Sequence, residues 1–415
     1  MKKIILSAIA TGLGISGLQA QVVNDTVNTT AAYANNVWYS LADDDQASVS
    51  ATNWHLGLAT SMGATGSLTT AVIFNHKLGS LYEVPGSDPV NFSTVDSAGL
   101  STWEPLFNSD QSWASGAFNN TTDLGVFDYG WGNYNTITHG IDANRVFIVE
   151  LNSGSYFKLM LSSANPDGTY TLTYAALDNS NLTTETIDVT AYEAKNFLYY
   201  DLVAQDIIDR EPASENWDLL FHQYPSFDYD PPYTVTGIFQ NEGVQIAKAY
   251  PVNDPSTYED FGAETFSDVI STIGYNWKSF NGMAFVIADS TVFFVADKAG
   301  EVWKVIMTGF GGSATGKYMF SKEKISAAGM AENEAIIASV YPNPSAEIAT
   351  IVVKNAPDAA VSIYNLNGTC VQTTKADAAS LTLVNVNTAE LANGVYNVVV
   401  TSGTSVNTQK LVVQH

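Results

Sequence analysis

The chain has 415 residues, with 42 acidic against 17 basic side chains and a net charge of −25 at pH 7. A field of that sign repels phosphate backbones and no basic stripe interrupts it, which argues against nucleic acid as a partner. The single cysteine, Cys370, excludes a disulfide framework, so stability must come from packing, which the many tyrosines, phenylalanines and tryptophans suit.

Residues 1–20 read as a cleaved signal peptide. Lys2 and Lys3 supply a positive start, an uncharged and mostly apolar run extends from Ile4 to Leu18, and Ala20 stands at the cleavage edge. The run is too short for a membrane anchor, and no cysteine stands after it to carry a lipid. No later stretch is long and apolar enough to cross a bilayer, so the mature chain is expected to have no transmembrane segment. It is long enough for two or three domains.

Two stretches of the mature chain are near-copies. DYGWGNYNTITHGIDANRVFIVELNSGSYFK aligns with GYNWKSFNGMAFVIADSTVFFVADKAGEVWK, ungapped from Tyr129 to Lys158. Matches include Trp131 with Trp277, Phe147 with Phe293, Gly154 with Gly300 and Lys158 with Lys304. Upstream landmarks recur in order: Tyr39-Ser40-Leu41 then Asn53-Trp54, and Tyr200-Asp201-Leu202 then Asn216-Trp217. Ile73-Phe74 is matched to Ile238-Phe239. The chain is thus read as two divergent copies of one domain, residues 21–185 and 190–327.

Each copy reads as β. The runs around Asn152-Ser153-Gly154 and Lys298-Ala299-Gly300 are strand, glycine-bearing turn and strand. A short helix is expected over Phe266 to Gly274, and the glycine-rich stretch from Gly309 to Gly316 reads as a turn between strands. Asp43-Asp44-Asp45 lacks calcium-loop spacing and reads as a solvated turn. The tryptophans at 54, 131, 217 and 277 are read as core anchors. A linker at 328–339 precedes a third body, residues 340–415, whose short strand runs separated by Asn, Gly and Asp turns predict a small β-sandwich. The fold class is all-β with minor helix.

The third body resembles the type A C-terminal sorting domain of proteins exported by the type IX secretion system in Bacteroidota. The resemblance rests on Tyr341-Pro342-Asn343-Pro344-Ser345, Ile363-Tyr364-Asn365-Leu366-Asn367-Gly368, Leu391-Ala392-Asn393-Gly394-Val395-Tyr396 and the closing Lys410-Leu411-Val412-Val413. It implies that the secretion machinery is a partner and that the protein reaches the cell surface or the medium.

The duplicated body resembles the HmuY family of haem-binding proteins, most closely in its second copy. The residues are Tyr200-Asp201-Leu202, Asn216-Trp217-Asp218-Leu219-Leu220-Phe221-His222 and Trp303-Lys304. In the first copy His55 replaces the aspartate of Trp-Asp, and Ala59 stands where Phe221-His222 falls. The resemblance implies two tandem β-domains that clamp haem between axial side chains without catalysis. Axial donors are His, Met or Tyr on opposite faces of the ring. The candidates are His222 as iron ligand, with Tyr224, Met283 and His76. At the level of residues, His222 is either a ligand kept by one copy or a variation at a strand position.

No nucleophile elbow, His-Glu-x-x-His or phosphate loop is present, so no enzyme is expected. The expected function is a secreted or cell-surface binding protein for haem or another flat apolar molecule. The alternatives are a structural or adhesive surface protein whose repeats are bare scaffolds, and glycan binding through exposed aromatics.

Overall fold

The computed structural model describes residues 21–60, 70–121, 125, 127–326, 337–365, 369–402 and 405–415. Residues 1–20, expected to be a signal peptide, most of the 328–339 linker and Leu366-Asn367-Gly368 lie outside the described residues. The chain divides into two compact units, one ending at Ser326 and the other beginning at Ala327. Both are built of antiparallel strands, as expected.

In the first unit two sheets of four strands form the centre, each backed by a larger sheet. Their strands are rich in aromatic and aliphatic side chains because both faces are buried. Val37, Tyr39, Leu219 and Phe221 point into one sandwich core, while Trp38 and Leu220 point the other way. Leu198 and Tyr200 enter the other sandwich core, and Tyr199 between them faces out of it. The outward sets of the two central sheets meet each other, so the period of two distributes one strand between two cores.

The pairing of those strands crosses the repeat. The opening hairpin, Asn35–Ser40 and Asp44–Ser50, pairs with Leu219–Ser226 of the second copy through Val37 opposite Phe221 and Tyr39 opposite Leu219. The hairpin Phe197–Asp201 and Asp206–Ile208 pairs with Leu56–Ala59 of the first copy, Leu198 opposite Leu58. The edge strand Val23–Asn28 does the same on Lys317–Ser326, while Thr183–Asp188, which straddles the boundary read between the copies, lies on Thr169–Ala175. One sandwich is therefore continuous in sequence, while the other is closed by the segment that opens the chain. The boundary read near 185–190 runs through the first sandwich, because similarity reveals the period of a repeat and not the phase in which it closes.

The same clasp holds both hairpins. Asp218 Oδ2 accepts the buried amide of Leu41 at 2.7 Å. At the equivalent place His55 Nδ1 lies 3.3 Å from the Leu202 amide and 3.2 Å from Asp201 Oδ1. A neutral imidazole nitrogen serves only one of these at a time, and burial pulls the His55 pKa down. The exchange of aspartate for histidine between the copies thus keeps a group facing the Tyr-x-Leu amide.

Other repeated residues have visible tasks. Lys158 and Lys304 are buried, and each holds a long loop by its carbonyls: Lys158 takes Ser93 and Leu177, Lys304 takes Ser256. Gly154 and Gly300 sit at φ +84° and +79°, in the left-handed region that the two turns require. The four tryptophans are buried as core anchors.

Two local readings are corrected. Phe74 stands opposite Leu56 and Gln240 opposite Leu219, so Ile73 corresponds to Phe239, one residue off the sequence match. A shift of one changes the face, which is why Ile73 and Phe239 both reach the centre. Phe266 to Gly274 is not helical: Ser267 bridges Ile246 and Gly274 bridges Ile238, so the stretch is held along strand edges. The Gly309–Gly316 stretch does join two strands, through one helical turn at Gly312–Thr315.

In the second unit the strands Ile348–Asn365 and Cys370–Asn387 pair along their length, and the former also pairs with Ile337–Tyr341 and Gly394–Ser402. The last strand, Ser405–Val413, is clipped by the Pro-Asn-Pro-Ser motif. Asn343 accepts from the Val412 amide and donates to the Lys410 carbonyl, and the Ser345 amide donates to Val412. That is the physical content of the motif: it ties the start of the unit to its end.

Candidate functional site

Where the two central sheets face each other they enclose a cavity of about 80 Å³. His222 and Tyr224 reach it from one sheet, on the face opposite Phe221. His76 reaches it from just beyond Val72–Phe74 of the other sheet. Three of the four candidate residues, drawn from both copies, therefore share one cavity. Met283 does not: it sits 93% exposed on the turn between Lys278–Phe280 and Phe285–Ile287.

The imidazoles are neutral. Burial pulls both His76 and His222 to a pKa of about 3, and the Arg210 charge pushes His222 further in the same direction. His222 stands edge-on to Phe239, ring centres 4.5 Å apart, and stacks on Tyr224 at 5.4 Å. Its Nε2 is sealed from water without a hydrogen-bond partner among the described residues. His76 Nε2 accepts the Asn108 amide at 3.2 Å. Neither imidazole has a carboxylate partner among the described residues, so no acid–base dyad forms there.

The fit to haem fails on size, and only part of the candidate donor set is free in the cavity. Sites for cofactor-sized ligands run to roughly 300–1,000 Å³, several times this cavity. Of the two imidazoles, one nitrogen of His76 already serves the backbone, and Met283 is elsewhere.

Comparison with known proteins bears on the second unit. Residues 339–414 match the family of the secretion system C-terminal sorting domain. This is an exported protein. The type IX sorting domain makes the secretion machinery its partner and places it at the cell surface or in the medium. No curated protein matches the chain. Among solved structures it is similar to the dimeric latent PorU from Porphyromonas gingivalis, at 12% identity and a TM-score of 0.19. That match covers 66% of this chain and 26% of the other, so the chain spans about a quarter of its length. Among the described residues no helix is long and apolar enough to cross a membrane.

One residue of the cavity went unread in the sequence. The protein has two arginines, Arg145 and Arg210, and both are buried. Arg145 is neutralised by Asp128 at 2.6 Å and Glu83 at 2.9 Å. Arg210 lines the cavity, only 4% exposed, with its guanidinium carbon 5.0 Å from the Trp38 ring, 5.3 Å from Trp54 and 5.0 Å from Tyr199. Such a cage attracts a cation through the ring faces. Nη2 donates to the Ser50 carbonyl at 2.9 Å, whereas Nε and Nη1 have no partner among the described residues. The neighbouring Glu211 turns away to Tyr199 and the Asn196 amide, and burial raises its pKa to about 7. The signal was the rarity of arginine in so acidic a chain.

The two histidines carry a pH prediction. Unfolded imidazoles titrate near 6.5, and the folded ones near 3. Between those values the unfolded chain takes up protons that the folded chain refuses, so stability falls as pH drops below 6.5. Glu211 and Asp218, raised by burial to about 7 and about 6, act in the opposite sense, their protonation favouring the fold. Subtracting one urea-unfolding profile from another removes that opposing part. The difference between wild type and the His76→Gln, His222→Gln double variant should therefore grow steadily from pH 6.5 downward, the variant losing less. Parallel profiles would show that the imidazoles are not held neutral.

Proposed function

We propose that this exported chain is a non-catalytic binding protein whose site is the cavity between its two central sheets. The observation that carries the reading is that both copies of the repeat contribute side chains to one enclosed, mixed polar and aromatic space. Pockets of this make-up are the usual place for a small ligand, with apolar walls and a few fixed polar groups. The HmuY resemblance supports a carrier role as well, although the cavity is too small for that family's haem.

Native mass spectrometry of the secreted full chain tests the proposal. The wild type is expected to carry an additional small-molecule mass. Ser112→Trp, which places a large ring at an exposed position of the cavity wall, should remove it. A bare polypeptide mass in every wild-type preparation would sink the reading. A hemin titration is the companion experiment, and no saturable Soret shift is expected. A shift that disappears in His222→Ala would make haem the occupant after all.

An adhesive role is the second reading, favoured by the exposed aromatics Phe227, Tyr229 and Tyr233, of which the two tyrosines are in ring contact. Unchanged attachment of cells displaying Tyr229→Ser, Tyr233→Ser would count against it.

A further inference from the structure

Accepting the cavity as a ligand site, we infer that its ligand is a small carboxylate, its anionic head directed to Arg210 and its short apolar body packed among tryptophans.

Charge is the first support. The protein has 42 acidic residues, yet no aspartate or glutamate lines this cavity, whereas Arg210, Lys77 and two imidazoles do. Lys77 is satisfied: its Nζ donates to the Tyr33 carbonyl at 2.5 Å and to Gln223 Oε1 at 2.8 Å. Arg210 is not. Nε and Nη1 carry three of the five guanidinium hydrogens and have no acceptor among the described residues. A buried cation with most of its hydrogens lacking an acceptor is costly, and Arg145 shows how this same chain solves the problem with paired carboxylates. At Arg210 the chain supplies aromatic faces, and the nearest carboxyl, Glu211, acts on the guanidinium only through space because its own hydrogen bonds go to Tyr199 and the Asn196 amide. The missing component has the chemistry of a carboxylate, whose two oxygens suit the guanidinium edge.

The walls define the rest. Trp38, Trp54, Trp113, Ile73, Leu220 and Phe239 surround the space, so inorganic phosphate would leave oxygens facing rings and aliphatic carbons. Size sets the length: about 80 Å³ is below the roughly 150 Å³ of a cavity that takes up benzene, which points to an acid of a few carbons. The alternative occupant of a polar cavity of this size is ordered water.

Tryptophan fluorescence of the full chain reads occupancy directly, since Trp38, Trp54 and Trp113 line the space. The probes are propionate, butyrate and inorganic phosphate, with propionamide as the uncharged counterpart of propionate, all at constant ionic strength. Propionate and butyrate should give saturable changes, and propionamide should bind about ten-fold more weakly or worse, the scale of losing a charged hydrogen bond. Arg210→Lys should weaken propionate without changing the circular dichroism. The acid-to-amide comparison needs no variant, so the test stands even if substitution at 210 disturbs folding. Equal binding of amide and acid, or preference for phosphate, would overturn the carboxylate while leaving the cavity a ligand site. No response to any probe, together with a bare mass in the native spectrum, would mean that water alone fills it, and both readings fall.

Discussion

Deleting residues 21–50 should unfold the sandwich closed by the chain's opening segment while the other keeps its structure. The deleted segment provides three strands: the edge strand Val23–Asn28 and the hairpin Asn35–Ser50. It also delivers Val27, Val37, Tyr39 and Leu41, all essentially fully buried, to the core shared with Phe221, Phe293 and Phe320. At about 1.5–3 kcal/mol for each buried side chain, the loss is about 6–12 kcal/mol. That is comparable with the whole stability of an ordinary domain, about 5–15 kcal/mol. Polar ties are lost with them: Tyr39 donates to Asp25, Lys322 pairs with Asp44, and Thr29 donates to the Gly316 carbonyl. Limited proteolysis should cut within 214–326 and spare 51–211. Adding the 21–50 segment as a separate peptide should restore protection. A truncated protein as resistant as the full chain would contradict the exchanged pairing.

Phe221→Ala should be nearly as damaging locally, while its neighbour His222→Ala should not. Phe221 is 0% exposed, with ring centres 5.0 Å from Tyr318, 5.9 Å from Tyr39 and 6.0 Å from Phe320. It therefore joins the closing hairpin, through Tyr39, to the strand Lys317–Ser326 that the edge strand covers. Truncating a buried phenylalanine costs about 3–5 kcal/mol through lost transfer energy and the cavity left behind. His222 lines an existing cavity on the other face, so shortening it enlarges a space that is already there. Urea midpoints of the two variants measure the contrast. Equal losses would mean that the faces of this strand are not divided between core and cavity as described.

Much of the fold was legible because strand residues carry their facing in a period of two. The turns at Gly154 and Gly300, the buried tryptophans and the matched hairpins all stand where the repeat placed them. The sorting unit was legible for a different reason: its motif makes specific backbone contacts, as Asn343 and Ser345 do, so its residues are tightly constrained. His76, His222 and Tyr224 were singled out by residue type alone, and the fold brings them together. Met283 was singled out on the same grounds and lies apart, since side-chain chemistry carries no information on position.

By itself, then, the amino-acid sequence determined the all-β class and the export domain, and it set the strand rhythm from which the duplication is read. These depend on local alternation, turn residues and short motifs, all of which are written along the chain. Only the tertiary structure decided which hairpin closes which sandwich, and what the space between them contains. Two related hairpins can satisfy either related sheet, so the choice rests on long-range pairing that leaves no local mark. The cavity joins residues as far apart as Asn36 and Phe239, and whether Arg210 Nε and Nη1 find an acceptor depends on everything around them.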